Sequence, residues 1–134
     1  MKKKLMALLL GTVMTLTMIT PAFAASEPIS LAGVDGTVSL TKNSSSATGK
    51  TTYGAGRQVT ATRTVSVSLK CTYGGRTYTY TDSATAVTNS ANYNSTTATI
   101  TVYRPSSSYT VSGATSSHRV TISSGSVSDR KSVV

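Results

Sequence analysis

This 134-residue sequence predicts an all-β protein, a single antiparallel two-sheet sandwich. Three observations carry that expectation. Beyond residue 24 there is no Met, no Phe and no long apolar run, and Ser or Thr alternates with Val, Ala or Tyr almost to the end. Such alternation has the β period of two, which sends successive side chains to opposite sides of a sheet. The alternating runs are short and separated by clusters of Gly, Asn, Pro and Ser, the usual breakers between strands. Finally, the 110 residues after position 24 suffice for one domain and hardly for two.

The first 24 residues read as an export signal. Lys2, Lys3 and Lys4 make a basic start, an apolar stretch runs from Leu5 to Ile19, and Pro21-Ala22-Phe23-Ala24 ends in the small-x-small pattern that signal peptidase accepts. A membrane anchor fits less well, because the apolar stretch is short for a bilayer and is interrupted by Thr12, Thr15 and Thr17. Cleavage after Ala24 is therefore expected. No Cys follows the apolar stretch to accept a lipid, and Ser132-Val133-Val134 is no anchoring signal, so the expected location is extracellular, without a membrane span after cleavage.

Residues 25–33 lack a stable period and read as a flexible leader, with the sandwich domain at 34–134. Val34, Gly36, Val38 and Leu40 share one side of a first strand and Asp35, Thr37, Ser39 and Thr41 the other. Residues 43–57 are polar and turn-rich, with a short strand around Lys50 to Tyr53. The clearest local structure follows. Val59 to Tyr73 alternates on odd positions, Gly74-Gly75 tolerates positive φ, and alternation resumes at Arg76. A two-residue hairpin there would set Tyr73 opposite Arg76, Cys71 opposite Tyr78, Leu69 opposite Tyr80 and Val65 opposite Ala84, keeping both faces consistent. The competing topology lets the two strands diverge across an arch into separate sheets.

Residues 88–94 read as a loop, and Ala98, Ile100 and Val102 lie on one face of a strand that Pro105 stops. Tyr109 and Val111 have one parity and His118, Val120 and Ile122 the other, so Gly113 is expected to mark a bulge. Ser124-Gly125 turns the chain into a last strand from Val127 to Val133. The count is six to seven strands in a domain of immunoglobulin-like size. Twelve Val, three Ile and three Leu supply its core, at about 1.5 to 3 kcal/mol for each side chain fully buried.

Charge limits the partners. The full chain carries +9, and loss of the three leader lysines leaves +6. The remaining cations are spread singly apart from Arg130-Lys131, a pattern that suits a solvated surface. Without a basic cluster or a reader motif, nucleic acid is not expected as a partner. Anionic envelope polymer, glycan or another protein are the candidates. In its Lys-rich leader, scarcity of Cys and Ser/Thr/Tyr-rich β pattern the chain resembles small secreted proteins of Gram-positive bacteria, a likeness that implies no site residue.

Catalytic chemistry finds little support. Cys71 has the parity of Val65, Val67 and Leu69, so it reads as a buried small hydrophobe, with an intermolecular disulfide dimer as the alternative. Ser39-Leu40-Thr41-Lys42 matches S-x-x-K, and Gly49-Lys50-Thr51 resembles the end of a phosphate loop, but both lack their structural context. No carboxylate pair has acid/base spacing, and one His, one Cys and four isolated acids offer no metal ligand set. Neither catalytic residues nor cofactor or metal is expected. The chain is read as a secreted, non-enzymatic binding or surface-display protein at the bacterial envelope or in the medium, the alternative being a cationic bacteriocin-like or toxin effector. Loops 43–57, 88–94 and 113–118 are the candidate contact regions, with Tyr53, Arg57, Tyr93, Tyr109, His118 and Arg119 as candidate contact residues. Tyrosine suits such a role because it offers a large rigid area with a polar tip.

Overall fold

The computed structural model describes residues 24–54, 60–88, 97–122 and 125–133, and these are all-β. Eight strands follow in order: β1 (Ala24–Leu31), β2 (Val34–Lys42), β3 (Ser46–Tyr53), β4 (Ala61–Tyr73), β5 (Arg76–Thr88), β6 (Thr97–Tyr103), β7 (Thr110–Ile122) and β8 (Gly125–Val133). They form two four-stranded antiparallel sheets, in the orders β1-β2-β3-β6 and β5-β4-β7-β8. Inner faces from both sheets meet in one core, which makes a β-sandwich. The leader expected at 1–24 lies outside the described residues except for Ala24.

The hairpin at Gly74-Gly75 has the expected register in full: Tyr73 opposes Arg76, Cys71 opposes Tyr78, Leu69 opposes Tyr80 and Val65 opposes Ala84. Both glycines have positive φ, 59° and 76°, the type I′ geometry whose twist matches that of the strands. The arch is thereby excluded. The change of parity in β7 is also where Gly113 places it. Lys70 pairs with Gly113 but Cys71 with Val111, leaving Ser112 as the extra residue of a bulge.

The flexible leader at 25–33 is corrected: it is a paired strand and its turn. Strand β1 runs from Ala24 to Leu31 along β2, with Ala25, Ile29 and Leu31 buried, and the turn that joins them is Ala32-Gly33. Three features hide this strand in the sequence. Glu27 occupies an inward position, Pro28 interrupts the run, and Ala32 sits at φ 54°, a conformation that alanine rarely supplies. Pro28 fits because β1 is an edge and its parity directs the missing N–H away from β2. With β1 included the described residues form eight strands instead of the expected six or seven.

The core divides into two apolar clusters. One joins Ala25, Leu40, Ala47, Ala98 and Val102 to Val65, Val67, Leu69, Cys71 and Ala114, and the other joins Ile29, Leu31, Val34, Val38 and Tyr53 to Ala61 and Val120. Close approach of the sheets depends on Gly49, where a Cβ would lie 2.6 Å from Val67 Cγ2 and 2.8 Å from Val65 Cγ2.

Candidate functional site

Two places in the sandwich gather functional side chains, one inside and one at an end. The interior place lies between the two apolar clusters and is built from Thr51, Ser116 and His118, all buried. Ser116 and His118 stand at i and i+2 on β7 and so face inward together, while Thr51 reaches them from β3 in the opposite sheet. Thr51 Oγ1 donates to the Thr64 carbonyl at 3.0 Å, so its contact with His118 Nδ1 at 2.8 Å makes Nδ1–H the donor. Nε2 is then left to accept from Ser116 Oγ at 2.7 Å. Burial first, and then the nearby Lys131, push the His118 pKa down to about 4, which keeps the ring neutral.

A serine hydroxyl on a neutral imidazole is the geometry of a nucleophile and its base. Here the third group is a hydroxyl, which cannot balance an imidazolium, and Ser116 and His118 are only 3% and 2% exposed. The trio acts as a hydrogen-bonded bridge between the sheets. Arg63 and Lys131 are corrected with it: the sequence placed both among surface cations, yet both are fully buried. Arg63 donates from Nε and Nη2 to the Tyr53 carbonyl at 3.0 and 2.8 Å and from Nη1 to the Ala61 carbonyl at 3.1 Å. Lys131 Nζ lies 3.2 Å from Glu27 Oε1, joining the last strand to the first.

The end site is aromatic. Turns 43–45 and 74–75 and the loop 104–109 share one end of the sandwich, and there Tyr73, Tyr78 and Tyr80 surround Tyr109. Tyr73 stacks on Tyr109 with ring centroids 4.8 Å apart and planes 26° apart, while Tyr78 and Tyr80 meet the same ring edge-on at 5.7 and 6.3 Å. Tyr73 remains half exposed. The loop is tied down by Arg104, whose Nη1 donates to the Tyr109 carbonyl at 2.9 Å and whose N–H donates to Ser45 O at 2.9 Å. Asn43 Oδ1 in turn accepts the N–H groups of Ser45 and Ser46 at 2.8 and 2.9 Å. A rigid ring cluster results. Separately, a hydroxyl-lined groove of about 310 Å³ lies along the β4–β7 pairing, lined by Ser66, Ser68, Thr115, Ser116 and Ser117.

Of the four expected contact residues that are described, Tyr109 alone belongs to this end. Tyr53 is buried and donates its hydroxyl to Leu31 O at 2.7 Å, and His118 is buried as above, so both leave the surface. They point inward because each shares the parity of an aliphatic neighbour, Thr51's partner Val38 in one sheet and Val120 in the other. Arg119 is exposed at mid-strand in β7, and Arg57 and Tyr93 lie outside the described residues. The contact region expected at 113–118 is β7 itself rather than a loop. Cys71 is free and buried, which leaves no surface thiol for a disulfide dimer, and burial, partly offset by Arg104, pushes its pKa up. Ser39–Lys42 and Gly49–Thr51 both lie in strands, contexts that suit neither motif they match.

In the sequence Tyr73, Tyr78 and Tyr80 appear only as positions of the hairpin register; their gathering depends on Tyr109 arriving from a loop. Among the described residues no helix is long and apolar enough to cross a membrane, and no group of three His, Cys, Asp or Glu side chains could hold a metal ion. No protein-family model, no curated protein and no solved structure matches the chain.

Proposed function

We propose that this chain is an exported, non-enzymatic binding module of immunoglobulin-like size that holds anionic polysaccharide of a bacterial envelope against its tyrosine end. The observation that carries this reading is the ordered cluster of Tyr73, Tyr78, Tyr80 and Tyr109. Its rings are fixed before any ligand arrives, so little side-chain entropy is lost on contact, and each ring pairs an apolar face with a hydroxyl. Arg76, exposed and paired with Tyr73 at the hairpin, adds positive charge beside the cluster. Export is supported by the Lys2–Lys4 start and by the position of the first strand, which opens at Ala24 beside the expected cut.

The effector reading draws on the same net charge, and growth inhibition of neighbouring strains would favour it. Burial of Arg63 and Lys131 speaks for the binding reading, since it takes two of those cations off the surface.

The test is retention of the purified protein on envelope fractions and on isolated anionic wall polysaccharide. The wild type is expected to be held above a neutral-polymer control, and the double variant Tyr73→Ala/Tyr109→Ala to lose about tenfold in affinity, or ~1.4 kcal/mol. Val87→Ala, exposed at the far end of β5, should bind as the wild type does. Equal retention of wild type and double variant would contradict the reading.

A further inference from the structure

Among the described residues no strand pairs with the outer edge of the thirteen-residue β5. A bare edge offers unpaired N–H and C=O groups and is usually blunted by charge, proline or shortness. The other three edge strands are blunted. Strand β1 contains Glu27 and Pro28, β6 has seven residues and is followed by Arg104-Pro105, and β8 contains Asp129, Arg130 and Lys131. Between Arg76 and Asp82, β5 has only threonine and tyrosine.

The segment Arg76-Thr77-Tyr78-Thr79-Tyr80-Thr81-Asp82 reads the same in both directions except that its ends carry opposite charges. Laid antiparallel to a second copy with Thr79 on a two-fold axis, it opposes Arg76 to Asp82, Thr77 to Thr81 and Tyr78 to Tyr80. The backbone is set for the same register. In a two-residue type I′ hairpin the flanking residues, here Tyr73 and Arg76, exchange both hydrogen bonds. Even-numbered residues of β5 therefore direct their backbone groups toward β4, and Thr77, Thr79 and Thr81 direct theirs to the open side. With Thr79 on the axis these outward groups meet each other. A slip of one residue would oppose inner to outer faces, and a slip of two would part Arg76 from Asp82.

We propose that β5 is a self-association edge, through which two copies join by their Arg76–Asp82 segments into one continuous eight-stranded sheet. The contact is isologous, so a change at either charged position acts twice in the pair.

Charge-reversal variants test it by analytical ultracentrifugation, with circular dichroism to verify the fold. The wild type is expected at twice the chain mass. Asp82→Arg opposes Arg76 to an arginine and Arg76→Asp opposes Asp82 to an aspartate, so each variant alone should sediment at the single-chain mass. Mixed in equal amounts, the two variants again set unlike charges opposite each other and should return to double mass. Thr79→Pro removes an outward N–H without touching the β4 ladder, and should give a folded single chain. A wild type that stays at single mass up to millimolar concentration, a dimer indifferent to Asp82→Arg, or a mixture that fails to reassociate would each overturn the proposal.

Discussion

Arg63, His118 and Lys131 occupy inward positions that neighbouring strands fill with aliphatic side chains, and each is accommodated by specific partners. For His118 the accommodation depends on pH. Its folded pKa of about 4 lies below the ordinary 6.5, so between those values the unfolded chain binds a proton that the folded chain does not. Stability is then complete above pH ~6.5 and falls as the pH drops toward 4, by about 3 kcal/mol from this group. Urea midpoints measured from pH 7 to 4 should show that loss. Lys131→Met removes the second cause of the shift and should bring the His118 pKa, followed by NMR, back toward its ordinary value. Ala32 offers a change of opposite sign. It bears a left-handed φ of 54°, and Ala32→Asn converts the turn to Asn-Gly, so a gain of about 1 kcal/mol is expected in chemical denaturation.

At the scale of the elements, the β4–β5 hairpin depends on the positive φ of its two turn glycines. Gly75→Val puts a β-branched side chain at φ 76°, and a loss of at least about 1–2 kcal/mol is expected in thermal or urea unfolding. Gly49→Ala should cost about 1–3 kcal/mol in the same assay, because its Cβ would meet Val65 and Val67 at the sheet interface. The hairpin was legible in the sequence because turn chemistry and parity agreed: Gly74-Gly75 fixed the loop, and one register kept Val65, Leu69 and Cys71 on a single face. Strand β1 was not, since Glu27 and Pro28 break the apolar pattern for reasons visible only in three dimensions, a lysine from the last strand and an open edge. The same limit hid the buried cations. Parity indicates which way Arg63 points but does not reveal that backbone carbonyls of Tyr53 and Ala61 await it.

For the whole molecule, connectivity decides which residues can act together. Alternate turns fall at opposite ends of a sandwich, so Tyr109 and the β4–β5 hairpin share one end while turn 32–33 is at the other. Tyr53 belongs to the interior, bonded to Leu31 O and beneath Arg63. Candidate contacts chosen by nearness to turns therefore dispersed, and the aromatic cluster assembled from strand ends that lie far apart in sequence. Its four rings form an ordered surface at the only place among the described residues where tyrosines pack on one another. That surface is the centre of the functional account. The measurement that tests it most directly is an NMR titration of the purified protein with soluble anionic wall polysaccharide, following backbone and tyrosine ring signals. The account expects saturable shifts concentrated at Tyr73, Tyr78, Tyr80, Tyr109 and Arg104, and their disappearance in Tyr73→Ala/Tyr109→Ala. Shifts confined to the opposite end, around turn 32–33, or no shifts at saturating polymer, would contradict it.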